Sequence, residues 1–102
     1  MQTKVTFRHF KSEPELYDAA IESAKSFEKF FDDIISTDVI FNNDIGKGVE
    51  FTVRVKGETL IVKENSDDFF KSLNEGTNKM IRQIRKWKTK HFETKANYSS
   101  NI

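Results

Sequence analysis

From Val49 to Lys56 apolar and polar residues alternate without a break, with Val49, Phe51, Val53 and Val55 set against Glu50, Thr52, Arg54 and Lys56. A period of two sustained over this length marks a strand with one buried and one solvated face. Lys56-Gly57-Glu58 follows at once and reads as a tight turn into another strand, Thr59 to Glu64. Such a hairpin presents an apolar surface that the remaining chain must cover.

Two helical stripes are available to cover it. Leu16, Ala20, Ser23, Phe27, Phe31 and Ile34 recur at spacings of three and four, with Asp18, Glu22, Lys25 and Glu28 turned away. Ser12 can cap this helix, Pro14 suits its first turn, and Glu15 stands where a capping box places its acid. The first helix is therefore expected over about residues 13–33. Ser66 or Asp67 is the expected cap of the second, whose stripe runs through Phe69/Phe70, Leu73, Thr77, Met80/Ile81, Ile84 and Trp87. That helix can extend to about Phe92, and the polar residues 93–102 are expected to form a short disordered tail. Alternation over residues 3–10, at Val5, Phe7 and His9, predicts a first strand, and Thr37 to Phe41 another. Asn42 to Gly48 is a turn segment. The order β-α-β-β-β-α is that of an α+β domain spanning residues 1–92: a mainly antiparallel four-stranded sheet with both helices on one face.

Composition limits the chemistry. Phe supplies 10 of the 102 residues and so much of the volume of a single modest core. With no cysteine there is no disulfide framework and no thiolate ligand or nucleophile. Apolar runs stay far below the ~18 residues that span a bilayer, and the N-terminus has no apolar leader core, so a soluble, uncleaved, cytoplasmic protein is expected.

The formal net charge of +1 hides a segregation. Residues 1–12 carry Lys4, Arg8 and Lys11 with no acid, and residues 79–95 carry seven bases against Glu93 alone. The segments between them are acidic. On a helix Lys79, Arg82, Lys86 and Lys90 fall along one stripe beside Gln83, with Arg85 and Lys88 on its flanks. Cations at i,i+3 and i,i+4 repel one another, and a one-sided row of them fits a polyanion. A solvated helix face is the bland alternative. A membrane surface or a calmodulin-like partner would want the apolar stripe exposed, whereas here the sheet needs it. Trp87 lies on that apolar stripe and is expected in the core rather than stacked on a base. His9 and His91 have no metal-ligand spacing around them, Asp32-Asp33 and Asp67-Asp68 flank helix ends, and Gly46-Lys47-Gly48 lies between strands. No catalytic constellation emerges, and neither a metal nor a cofactor is expected.

Ser66-Asp67-Asp68-Phe69-Phe70-Lys71-Ser72-Leu73-Asn74, followed by Lys79-Met80-Ile81-Arg82-Gln83-Ile84-Arg85-Lys86, resembles the signature of the bacterial hibernation-promoting factor and ribosome-associated inhibitor family. There the second helix opens with Asp-Met-Tyr, continues to Ala-Ile-Asp and ends in Lys-Leu-x-Arg-Gln-Leu-x-Lys. Asp68, Phe69 and Phe70 match the opening, Asn74 the later Asp, and Arg82-Gln83 match directly. Phe27-Glu28-Lys29-Phe30-Phe31 follows the family's Leu-Glu-Lys-aromatic-aromatic motif, and the likeness covers about residues 2–92. It implies a fold like a double-stranded-RNA-binding domain and a place in the messenger and transfer-RNA channel of the small ribosomal subunit, blocking translation in starved cells. With that partner, the charge pattern makes Lys79, Arg82, Gln83, Arg85, Lys86, Lys88 and Lys90 the expected contacts to ribosomal RNA, with Lys4, Arg8 and Lys11 added from the basic N-terminal segment, and a monomer off the ribosome is expected. A general structured-RNA-binding module and an enzyme acting on nucleic acid are the other classes to set against it. Phe70 departs from the family in lacking a Tyr hydroxyl, and Glu64 in standing where strand four is usually small and apolar. The tail resembles that of the short hibernation-promoting branch, without the acidic extension of the inhibitors or the dimerisation domain of long members.

Overall fold

The computed structural model describes residues 1–90, which form β1 (Gln2–Arg8), α1 (Pro14–Phe30), β2 (Ser36–Asn42), β3 (Lys47–Val55), β4 (Glu58–Ser66) and α2 (Phe69–Lys88). The expected continuation of α2 to Phe92 and the expected tail at 93–102 lie outside the described residues. The strands lie in the sheet order β1-β2-β3-β4. β1 and β2 pair in parallel, since α1 carries the chain back between them, while β2–β3 and β3–β4 are antiparallel hairpins.

The alternation in β3 sets the two faces. Val49, Phe51, Val53 and Val55 are all buried, and their ladder partners Phe41 and Val39 on β2 and Val62 and Leu60 on β4 share that face. Both helices cover it, α2 lying on β3 and β4 and α1 against β1 and α2. Aromatic rings hold the layers together at three levels. At one end Phe7 stacks on Phe41 at 5.0 Å and Phe10 on Phe69 at 5.2 Å; in the middle Phe27 meets Phe51 edge-on at 5.5 Å; at the other end Phe31 meets Trp87 at 4.9 Å. Trp87 is thus a core residue, only 6% exposed.

Element ends differ from the expectations, each for a local reason. β1 stops at Arg8 because His9 turns into positive φ (69°), which frees Phe10 to fold back onto Phe7 and Phe69. α1 starts from Glu13, not Ser12, and no side chain caps it; Pro14 takes the first helical position. It ends at Phe30 rather than near residue 33, with Phe31 already extended (φ −159°). Asp32 and Asp33 follow, and further helix would have placed two carboxylates against the negative end of its own dipole. The cap of α2 is Asp68, neither Ser66 nor Asp67: its Oδ1 accepts from the Phe70 backbone N–H at 2.8 Å. Ser66 acts one step back, accepting from the Asp68 N–H and lying 2.6 Å from the hydroxyl of fully buried Ser72. Ser72 in turn donates to the Lys47 carbonyl at 2.6 Å, so its buried hydroxyl is satisfied.

The two helices run in the same direction. The hydroxyls of Ser23 and Thr77 meet at mid-length, 2.8 Å apart, and the Lys88 ammonium reaches the Phe30 carbonyl at the C-terminal ends. Phe51, fully buried between sheet and helices, is the residue on which this packing is best tested. Phe51→Ala should lose about 3–5 kcal/mol, a large part of the roughly 5–15 kcal/mol that stabilises a domain of this kind. Urea unfolding followed by circular dichroism should show it, and an unmoved midpoint would contradict the β3 register.

Candidate nucleic-acid interface

α2 carries the candidate face. Its buried positions, Phe69, Leu73, Gly76, Met80, Ile84 and Trp87, follow one another at intervals of three and four and point to the sheet. Arg82, Gln83, Arg85, Lys86 and Lys90 are left exposed on the other side. Gln83, Lys86 and Lys90 lean toward the free β4 edge, where they border a shallow depression with Glu58, Leu60 and Trp87. Among the described residues no acid on α2 follows Glu75.

Two of the expected cations have internal partners. Lys79 forms an ion pair with Glu64, whose side chain is only 11% exposed on the helix-facing side of β4. Glu64 thereby finds the partner that its inward position demands. The Lys88 ammonium donates to the Phe30 carbonyl at 2.6 Å in a part-buried site and caps the C-terminus of α1. Two parallel helices bring their negative ends together there, and this cation offsets both.

The N-terminal cations are not brought to the same face. Val5 and Phe7 pack on the core, so Lys4 and Arg8 project from the opposite, uncovered side of the sheet. β1 and β4 are the two edges, three strand intervals or about 14 Å apart. Lys4 stands opposite Asp38 in the β1–β2 register, and Asp38 also binds Arg54 at 3.0 Å. Lys11 lies exposed between β1 and α1. His9 sits 3.8 Å from Asp44, both exposed. Among the described residues no group of three or more His, Asp and Glu side chains is placed to hold a metal ion, and no helix is long and apolar enough to cross a membrane.

Sequence periodicity located the exposed row on α2, and the sequence marked Glu64 as an acid in need of a partner, but it did not show that Lys79 is that partner. An acid at an inward position of strand four was the available signal for Glu64. Nothing in the local sequence around Lys88 points to α1, 58 residues away.

An α+β domain of this order, with one helix basic along its outer face, has a charge distribution that suits a polyanionic partner. The chain is a member of the family described as Sigma 54 modulation protein / S30EA ribosomal protein, whose model it matches over residues 3–91. It is 33% identical over 81 residues to the ribosome hibernation promotion factor of Bacillus subtilis (strain 168), a match that takes in 76% of this chain and 43% of that protein. The chain thus spans less than half the length of this curated relative. Among solved structures, a ribosomal subunit interface protein from Coxiella burnetii superposes with a TM-score of 0.81 at 23% identity, covering 87% of this chain and 99% of that one. The N-terminal domain of Thermus thermophilus Protein Y superposes with a TM-score of 0.77 at 15% identity, covering 85% and 99%. At these identities the two structures establish the fold.

The different roles of the cations can be separated by stability alone. Lys88→Ala should cost about 1–2 kcal/mol, as expected when a charged donor is removed from a part-buried carbonyl. Arg82→Ala, on the exposed side, should stay within about 0.5 kcal/mol. Equal losses in urea unfolding would show that Lys88 does not cap α1.

Proposed function

We propose that this protein is a ribosome hibernation factor: it binds the small ribosomal subunit in the channel used by messenger and transfer RNA and blocks translation during stress. The observation that carries the reading is the row Arg82, Arg85, Lys86 and Lys90, exposed along the C-terminal half of α2 and just past its end, with no acid on that helix after Glu75. Family membership and the name of the Bacillus relative support the choice of the ribosome over other RNA.

The mechanism follows from charge and shape. α2 is 20 residues long, about 30 Å, and its outer face can lie along several phosphates of folded ribosomal RNA. Affinity then comes from counterion release, with little reading of base identity. Gln83 adds a neutral hydrogen-bonding group within the row. The sheet and the acidic α1 supply rigid bulk that fills the channel. Inhibition requires occupancy alone, so the reading needs neither turnover nor a cofactor. It takes the free protein to be a cytoplasmic monomer. Lys4, Arg8 and Lys11 lie away from this face and would meet RNA only where the channel wraps around the β1 edge.

Replacing Arg82, Lys86 and Lys90 together with Gln should weaken binding to purified small subunits while leaving the fold intact. Each lost phosphate contact removes about 0.7–0.9 from the slope of log affinity against log salt, so a flattening of roughly 2–3 units is expected. An unchanged slope would move the contact face elsewhere. Placement in the channel has its own test in a cell-free translation reaction. The protein should suppress synthesis, and less of it should suffice when messenger and initiation factors are scarce. If it and initiator transfer RNA occupy one small subunit without weakening each other, the plug is wrong. Equal affinity for small subunits and for unrelated structured RNA would favour a general RNA-binding module.

A further inference from the structure

Glu58 and Glu64 are the two acids on the helix-facing side of β4, where Leu60 and Val62 are core residues; Glu58 opens the strand and is exposed, whereas Glu64 is drawn inward. Val49 stands opposite Glu64 across the ladder, and α2 passes over it at Gly76, where a side-chain carbon would come within 3.7 Å of Glu64 Cγ. With its side chain 11% exposed, Glu64 has given up much of its contact with water, and a cation beside it offsets that loss. Lys79, one turn beyond Gly76, supplies it. Lys79 is still 49% exposed, so its ammonium turns down to the sheet although solvent is within reach. Arg82, Arg85 and Lys86 have no carboxylate within ion-pairing distance among the described residues.

We propose that Glu64 is a built-in counter-charge that withdraws Lys79 from phosphate binding and lowers the affinity of the α2 face for RNA by one contact. For a phosphate to capture Lys79, Glu64 would have to be left unpaired beside Phe51 and Gly76, with its charge facing the incoming anion. The pair therefore persists in the free and bound states, and Lys79 releases no counterion on binding. Glu64 acts through Lys79 as a positioning residue, and by holding that cation it sets how tightly RNA is held and how readily salt releases it. This inference rests on α2 being the RNA-binding face.

The test measures dissociation constants for purified small ribosomal subunits across a salt series, using wild type, Glu64→Gln, Lys79→Gln, the double variant and Arg82→Gln. Lys79→Gln should keep the wild-type slope, whereas Arg82→Gln should flatten it by about 0.7–0.9. Glu64→Gln should steepen the slope by about the same amount and tighten binding several-fold at about 0.1 M salt. Adding Lys79→Gln to it should return the slope to wild type. Thermal unfolding of each variant verifies the fold, and if Glu64→Gln fails to fold, the comparison of Lys79→Gln with Arg82→Gln still decides. Equal flattening by Lys79→Gln and Arg82→Gln overturns the counter-charge, as does an unmoved slope in folded Glu64→Gln. If Arg82→Gln also leaves the slope unchanged, the RNA-binding reading of α2 falls, and this inference falls with it.

Discussion

The seat of α2 on the sheet is the contact on which most of this structure depends. Gly76 brings the helix so close to β3 that a side-chain carbon there would lie 2.7 Å from the Phe51 ring. Glycine at a helix interior weakens the helix by roughly 1 kcal/mol relative to Ala, and here the missing side chain is what lets the ring fit. From that contact the rest of the helix is oriented. Met80, Ile84 and Trp87 continue down the same side into the core, and the cations between them are turned to solvent. The close approach also puts α2 within reach of Glu64. The seating of α2 and the outward turn of its cations are therefore tied to this packing contact.

Much of the fold was legible because its signals are periodic and mutually consistent. The alternation of β3 matches the observed burial residue for residue, since a slip of one would have turned four large apolar side chains to water. The stripe of α1 and that of α2 likewise name most of their buried residues. Element ends were less legible, because each end is decided by what lies nearby in space. Ser12 is a good cap by type, yet the chain enters α1 at Glu13; Ser66 precedes α2 but is engaged with Ser72 and Asp68, leaving the cap to Asp68. For the candidate site, local sequence showed the row of cations. It could not show that Lys79 answers to β4 and Lys88 to α1, since those partners lie 15 and 58 residues away.

The cations accordingly divide by what they hold. Lys88 secures the shared C-terminal end of two parallel helices, a place where aligned dipoles repel. Lys79 neutralises an acid that the sheet presents inward. Arg82, Arg85, Lys86 and Lys90 do no such internal work and stand at the surface. Lys4 and Arg8 belong to the uncovered sheet face, where Asp38, Arg54, Glu50 and Lys63 alternate in sign across the ladders. Charge segregation along the sequence is thus only partly segregation in space. The basic C-terminal segment maps to one helix face, and the basic N-terminal segment maps to a different surface with acids among it.

The two duties fall to different groups. On the proposed function, a plug would have to keep its shape when its charged face meets RNA, so its stability should not come from the groups that RNA would engage. Here the shape is held by three tiers of aromatic contacts and by the Ser66–Ser72–Lys47 linkage at the start of α2. None of these includes a cation of the exposed row. The row can consequently change its charge with little consequence for folding, as exposed substitutions usually do. Glu64 is the exception, because it touches both systems: it sits against the core contact of Gly76 with Phe51 and holds the first cation of the row. An acid placed there ties the inner packing of α2 to a cation on its outer side.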